Sequence, residues 1–303
     1  AGVWVDQFRQ QDGAAIGRVA KPMVAPSQGV HIVVERDFLP TDHALLVPKT
    51  TDGRVLFAVP WLGKIILGTT DTPRPDLIYE PEPFESEVDF ILNESARHLT
   101  RAPTRADVKS VWVGLRPLVR PPDDDGEHTK KLSREHTVLS SPSGLVTVTG
   151  GKWTTYRAMA EDVLDECFAT GGLAAAPGGV TLRLPLVGAD MANGETLHPL
   201  SAPQGLHSYG SERAVVAAMP GADEALAPGF TVAMVRFAVR HEYARTVEDV
   251  LARRARLLFL DAALAASVAP RVAALLQEEI DRPGALAAFE TLARHYRHLP
   301  EAT

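Results

Sequence analysis

With 303 residues, 45% of them apolar and 23% charged, the chain is long enough for one large or two ordinary domains, and its proportions exclude a disordered or fibrous protein. A net charge of −7 and a pI near 5.8 exclude a basic nucleic-acid-binding surface. The single cysteine, Cys167, leaves no disulfide framework, points to a reducing compartment, and reads as a small core hydrophobe on a helix.

No run approaches the roughly 20 apolar residues that cross a bilayer, because Arg236 and Asp261 interrupt the most apolar tail segments. The opening AGVWVDQFRQQDG has neither an initiator Met nor the basic-then-apolar order of a signal peptide, so the chain reads as the interior of a longer protein, or as a cleaved one.

The first half reads as strands and turns. GVHIVVER (29–36) alternates and is rich in β-branched residues, as a strand should be. GRVLFAVP (53–60) and KIILGTTD (64–71) flank the turn Trp61-Leu62-Gly63 and predict a hairpin. Over 84–99 the spacing of Phe84, Val88, Ile91, Leu92 and Leu99 predicts a helix with one apolar face. Strand character returns in DVKSVWVGLRPLV and HTVLSSPSGLVTVTG, with an acidic, solvated loop at 122–126 between them.

From about residue 171 a Gly/Pro/Ala-rich stretch reads as a linker (171–188), and an Ala- and Arg-rich helical region follows (189–303). Thr246 before Val247 and Asp249 reads as a helix start. The predicted class is therefore α+β: an antiparallel or mixed sheet domain over 1–170, followed by an all-helical domain. Arg253, Arg254 and Arg256 with Glu248 and Asp249 read as a solvated helix surface.

The segment TVTGGKWTTYRAMAEDVLDECF (147–168) holds the chemistry. Gly150 and Gly151 permit positive φ and close approach of a ligand to backbone. Behind them Tyr156, Met159, Ala160, Val163, Leu164 and Cys167 form an apolar stripe at helical spacing. The helix start favours anionic or electron-rich atoms, Lys152 adds a full charge, and Thr154 and Thr155 add donors. A nucleotide P-loop is excluded, because Val146 and Trp153 stand where that pattern needs Gly and Ser or Thr. Taken alone, Gly-Gly-Lys also suits an ordinary strand-to-helix turn with its lysine in solvent.

Other features pair a special backbone with a donor or an acid: His31 after a glycine at a strand start, Gly68-Thr69-Thr70-Asp71 at a strand end, Arg116 before a proline, and Arg134 at another strand start. Each singly admits a structural explanation. In order, AGVW, PSQGVHIVV, DGRVLFAVPW, LGTTDTP, GLRPL, SREHTV and TGGKWTTYRAMAEDVLD resemble the landmarks of the FAD-dependent glycerol-3-phosphate dehydrogenases, flavoenzymes of the D-amino-acid-oxidase superfamily. YGSERA and FAVRHEYARTVEDVLARRARLLFLD resemble that family's C-terminal helical domain. The family's dinucleotide fingerprint, G-x-G-x-x-G, does not occur here, and Val3 stands where the family usually has Pro. The chain therefore looks like a C-terminal portion lacking the first FAD-binding segment.

The resemblance implies oxidation of sn-glycerol 3-phosphate to dihydroxyacetone phosphate, with hydride passing to FAD and the hydroxyl proton to a base. It implies His31, Arg116 and Lys152 as the catalytic set, with His31 as base or hydroxyl-orienting donor. Arg116, Arg134 and Thr69 are the implied substrate contacts, since an arginine fork matches phosphate oxygens. Gly2, Trp4, Gly150, Gly151, Lys152, Thr154 and Thr155 are the implied cofactor contacts. It further implies quinone or oxygen as electron acceptor, a peripheral place on the cytoplasmic membrane, and no nucleic-acid partner. With the first segment gone, the helix at 154–168 would expose its apolar side or cover it with another copy, giving a homodimer. The competing expectation is a non-catalytic substrate-binding or regulatory module without flavin.

Overall fold

The computed structural model describes residues 2–119, 135–174, 176, 178–190, 196–282 and 284–301. In chain order the elements are α1 (Val5–Ala15), β1 (Val24–Glu35), β2 (Leu45–Val47), β3 (Leu56–Trp61), β4 (Lys64–Gly68), β5 (Thr72–Pro73), α2 (Glu85–Ala96), β6 (Ser110–Val119), β7 (His136–Ser140), β8 (Val146–Gly150), α3 (Tyr156–Ala169), α4 (Arg213–Ala217), β9 (Ala225–Ala227), β10 (Phe230–Thr231), α5 (Val232–His241), α6 (Leu257–Leu260), α7 (Ala262–Ile280) and α8 (Leu286–His295). The chain divides into two compact units: one made of residues 1–29, 71–81 and 114–184, the other of 30–70, 82–113 and 185–303. Strands β1 and β6 run through both.

In the first unit, the Asp6 carboxylate on α1 accepts from the backbone of Met23 and Val24 at 2.9–3.1 Å, tying α1 to the start of β1. Ser27 and Gln28 of β1 pair antiparallel with β5. Strands β7 and β8 form an antiparallel hairpin, His136 opposite Gly150. Helix α3 is bound to it by His136–Asp162 (2.6 Å) and Ser140–Glu166 (2.5 Å). The stripe expected along α3 is present, but no residue of α3 is buried. Cys167 is accordingly half-buried and not part of a core.

In the second unit, β2, β3, β4 and β1 lie side by side, all antiparallel. Alternation sends Val30, Ile32 and Val34 of β1, Leu56 and Ala58 of β3, and Ile65 and Leu67 of β4 to one face, where they form a core with Val88, Ile91 and Leu92 of α2. Each large side chain so buried contributes about 1.5–3 kcal/mol. Phe84, predicted on that apolar face, instead precedes the first turn of α2 and is 42% exposed. Glu87 turns inward in its place. One carboxylate oxygen accepts from the Phe84 N–H (3.0 Å) and the other from the Thr70 hydroxyl (2.9 Å).

The tail of this unit is helical, as its periodicity predicts, and contains one short ribbon, β9–β10. Helices α5, α7 and α8 share a core that includes Phe237, Val272, Leu276 and Phe289. Thr246 starts its helix as expected. Its hydroxyl accepts from Asp249 N–H (3.0 Å), and Asp249 accepts in return from the backbone of Thr246 (3.0 Å) and Arg245 (2.9 Å). This is a reciprocal cap. The following turn, Asp249–Arg254, is π-helical. Backbone bonds tie the tail to β6 and to the residue before it: Val111 N–H donates to Tyr296 O (2.8 Å), and Ala262 N–H donates to Lys109 O (3.2 Å).

Candidate functional site

Arg116 sits on β6 with its guanidinium against Gly29 of β1, where a Cβ would collide with it. The absence of a side chain at 29 is what admits the arginine. Asp71 lies 3.8 Å from Arg116, with both side chains three-quarters or more buried, and Asp71 also accepts from the Ser27 hydroxyl. The arginine is thus held from the carboxylate side, and Pro117 fixes the backbone after it.

Gly150 and Gly151 both take positive φ, 74° and 77°. A Cβ at 150 would stand 2.6 Å from the Glu135 carbonyl oxygen, and one at 151 would stand 2.6 Å from the Met159 sulfur. These glycines are therefore required twice, by dihedral and by space. They turn β8 into an exposed Lys152, a short helical turn Trp153–Thr155, and α3. Thr155 donates through both its amide and its hydroxyl to the Lys152 carbonyl, each at 3.0 Å, which pins the lysine backbone at the helix mouth. Trp153, 84% exposed, stacks on Tyr156 with centroids 5.3 Å apart. Arg116, Pro117, Leu118, Gly150, Gly151, Lys152 and Trp153 together line a recess of about 270 Å³.

The first unit thus brings together four of the predicted residues: Arg116, Gly150, Gly151 and Lys152. Thr154 and Thr155 follow at the same helix mouth. Gly2 and Trp4 lie at the start of α1, outside the lining of that recess, with Trp4 facing Tyr79 at 6.2 Å. His31 and Thr69 belong to the second unit. The His31 imidazole stacks on Trp112, centroids 4.3 Å apart and planes within 18°, with Phe57 at 5.6 Å. A Cβ at Gly68, its partner across β4, would reach 2.5 Å from the ring. The Thr69 hydroxyl donates to the Thr70 carbonyl (3.3 Å). Arg134 lies outside the described residues.

Sequence reasoning missed the roles of Gly29, Ser27 and Trp112, and placed Asp71 only at a strand end. Gly29 carried a usable signal, being two residues before His31 and hence on the same face of a strand. Trp112 carried none, because an aromatic in a strand reads as core.

Two cations, two side-chain-free residues and an exposed indole around one recess fit a flat group that gains electrons and negative charge in its reaction, such as a flavin. Among the described residues no cluster of three or more His, Cys, Asp or Glu could hold a metal ion. No described helix is long and apolar enough to cross a membrane.

Residues 1–158 match the model of the FAD dependent oxidoreductase family, and the chain belongs to that family. Residues 179–283 match the C-terminal domain of alpha-glycerophosphate oxidase. The chain is 38% identical over 307 residues to a mitochondrial glycerol-3-phosphate dehydrogenase of Arabidopsis thaliana, covering 92% of this chain and 48% of that protein. It is 36% identical over 302 residues to the mitochondrial glycerol-3-phosphate dehydrogenase of Mus musculus, covering 93% and 40%. The structure of the Bacillus halodurans glycerol-3-phosphate dehydrogenase complexed with FAD superposes with a TM-score of 0.73 at 26% identity, over all of this chain and 63% of that one. The chain spans about half or less of the length of these curated relatives. The expected fold, a sheet-bearing oxidoreductase region followed by a helical C-terminal domain, agrees with these matches.

Proposed function

We propose that this chain is the part of a glycerol-3-phosphate dehydrogenase that carries the substrate-binding residues and one edge of the flavin site. The reaction is oxidation of sn-glycerol 3-phosphate to dihydroxyacetone phosphate. The observation that carries the reading is the recess of Arg116, Gly150, Gly151 and Lys152, present in a chain of this family. FAD, when bound, supplies the acceptor for the hydride leaving C2.

The chain's own residues do the rest. Arg116, held on its far side by Asp71, offers its fork to the dianionic phosphate, as Arg134 does in the same reading. Lys152 and the amides at the α3 mouth provide positive potential where negative charge develops. His31 takes the hydroxyl proton or orders the hydroxyl, since an imidazole can both accept and donate a proton. Thr69 is a further substrate contact. Trp4 and Gly2 are proposed beside the cofactor. A quinone acceptor would bring the protein to a membrane surface, whereas oxygen would yield peroxide, so a peroxide assay separates the two.

A visible spectrum of the purified chain, before and after glycerol 3-phosphate under argon, tests the reading directly. Yellow protein that bleaches with substrate supports a flavin site served by these residues. A full-length protein that is yellow and fails to bleach would overturn the substrate assignment.

A further inference from the structure

The His31 ring is held by more than its own strand. Its face rests on the Trp112 indole at 4.3 Å, nearly parallel, and its edge fills the space a Cβ would take at Gly68. Trp112 is in turn met edge-on by Phe259 of α6, at 5.6 Å and 88°. Phe259 meets Tyr296 at 5.5 Å and 76°. Tyr296 is tied by its carbonyl to the amide of Val111, the neighbour of Trp112 (2.8 Å). The stack therefore starts at the sheet and ends in the helical tail, all within one compact unit.

The indole N–H is buried and finds no hydrogen-bond partner among the described residues. Such a donor costs stability, and a phenyl ring would avoid that cost. What the indole adds over a phenyl is a broader, more electron-rich face, and that face is turned to the imidazole.

We propose that Trp112 is a positioning residue for His31, fixed by Phe259 and Tyr296 of the helical tail, and that its face stabilises the imidazolium formed when His31 accepts the substrate hydroxyl proton. This rests on the reading of His31 given above. The helical tail then contributes to turnover without touching substrate: it locks the plane on which the imidazole stacks. An imidazole free to rotate about its side-chain bonds would spend less time aligned with the hydroxyl, and misplacement by about 1 Å can cost on the order of 100-fold in rate.

The experiment is steady-state kinetics of the full-length protein with Trp112→Leu, Trp112→Phe, Phe259→Leu, His31→Asn and the pair His31→Asn/Trp112→Leu. Thermal melts and the ring-proton resonance of His31 in histidine-labelled protein are recorded alongside. Trp112→Leu is expected to lower kcat by about 30-fold with KM changed less than about threefold, and to move the His31 resonance as the ring current is lost. Trp112→Phe should recover only part of that kcat, the remainder being the share of the broader, more electron-rich indole face. Phe259→Leu, which leaves the stacked pair in place, should lower kcat in the same direction by less. The double variant should be no slower than His31→Asn alone, since a residue that acts through His31 has nothing left to act on. Normal kcat in Trp112→Leu, or full additivity in the double variant, would overturn the proposal. Normal kcat in His31→Asn would instead remove the role given to His31, and the proposal would fall with it, identifiably at that residue.

Discussion

Helix α3 of the first unit spaces Tyr156, Met159, Val163 and Leu164 along one side and buries none of its residues. Helix α7 of the second spaces Ala265, Val268, Ala269, Val272 and Leu276 the same way and buries eight. Apolar residues recur at helical spacing in both. That spacing states that a helix will form and which side is apolar, and it is silent on what covers that side. The glycine-and-cation recess sits at the thinly packed helix, and the His31 stack sits against the densely packed region.

The largest expected effect tests the recess. Arg116→Ala or Lys152→Ala in the full-length protein should lower kcat/KM about 10³-fold, or roughly 4 kcal/mol of transition-state stabilisation. The exposed Lys152 should do so with no change in thermal midpoint. Near-normal rates in both variants would take the recess out of the active site.

Next comes packing. Leu276→Ala, at a fully buried position, should cost about 3 kcal/mol in denaturant unfolding. Leu164→Ala on α3, 45% exposed, should cost less than about 0.5 kcal/mol. A large cost at Leu164 would show that α3 is covered in solution and would erase the contrast. Gly151→Ala lies between them: positive φ and the Met159 contact should cost about 1–2 kcal/mol.

The smallest effect sharpens the second unit from within. Burial pushes the Glu242 carboxyl above its ordinary range, Arg254 opposing and Glu212 adding to the rise, and one of its oxygens has no hydrogen-bond partner among the described residues. The folded state thus keeps a proton that the unfolded chain releases, so stability falls as pH rises from the ordinary glutamate value, about 4.3, through the raised folded one. Glu242→Gln should stabilise the protein by up to about 1 kcal/mol near pH 8, discounted for partial exposure, and by nothing near pH 4. A variant less stable than the parent at pH 8 would show that the carboxylate is well solvated.

Much of this was legible beforehand. The alternation in VHIVV, the turn after Trp61, the start at Thr246 and the double glycine before Lys152 are local signals, and each element formed where its local chemistry demanded. What stayed hidden was pairwise. Phe84 looked like a core residue because spacing cannot tell the residue before a helix from one in its first turn. Arg116 could be read as a phosphate ligand, but its dependence on an empty Cβ at Gly29 could not, because the two are far apart in sequence. The Trp112 stack was hidden for the same reason.

That distance has a consequence for synthesis. The chain emits Trp112 about 180 residues before Tyr296. At roughly 5–20 residues per second this is an interval of about 10–40 s. Throughout it β1–β4 can pair while the stack of Phe259 and Tyr296 behind the indole is incomplete, so the ribosome-bound intermediate carries an open aromatic surface that the finished molecule closes. A nascent chain stalled before α8 should therefore be the form that chaperones hold longest.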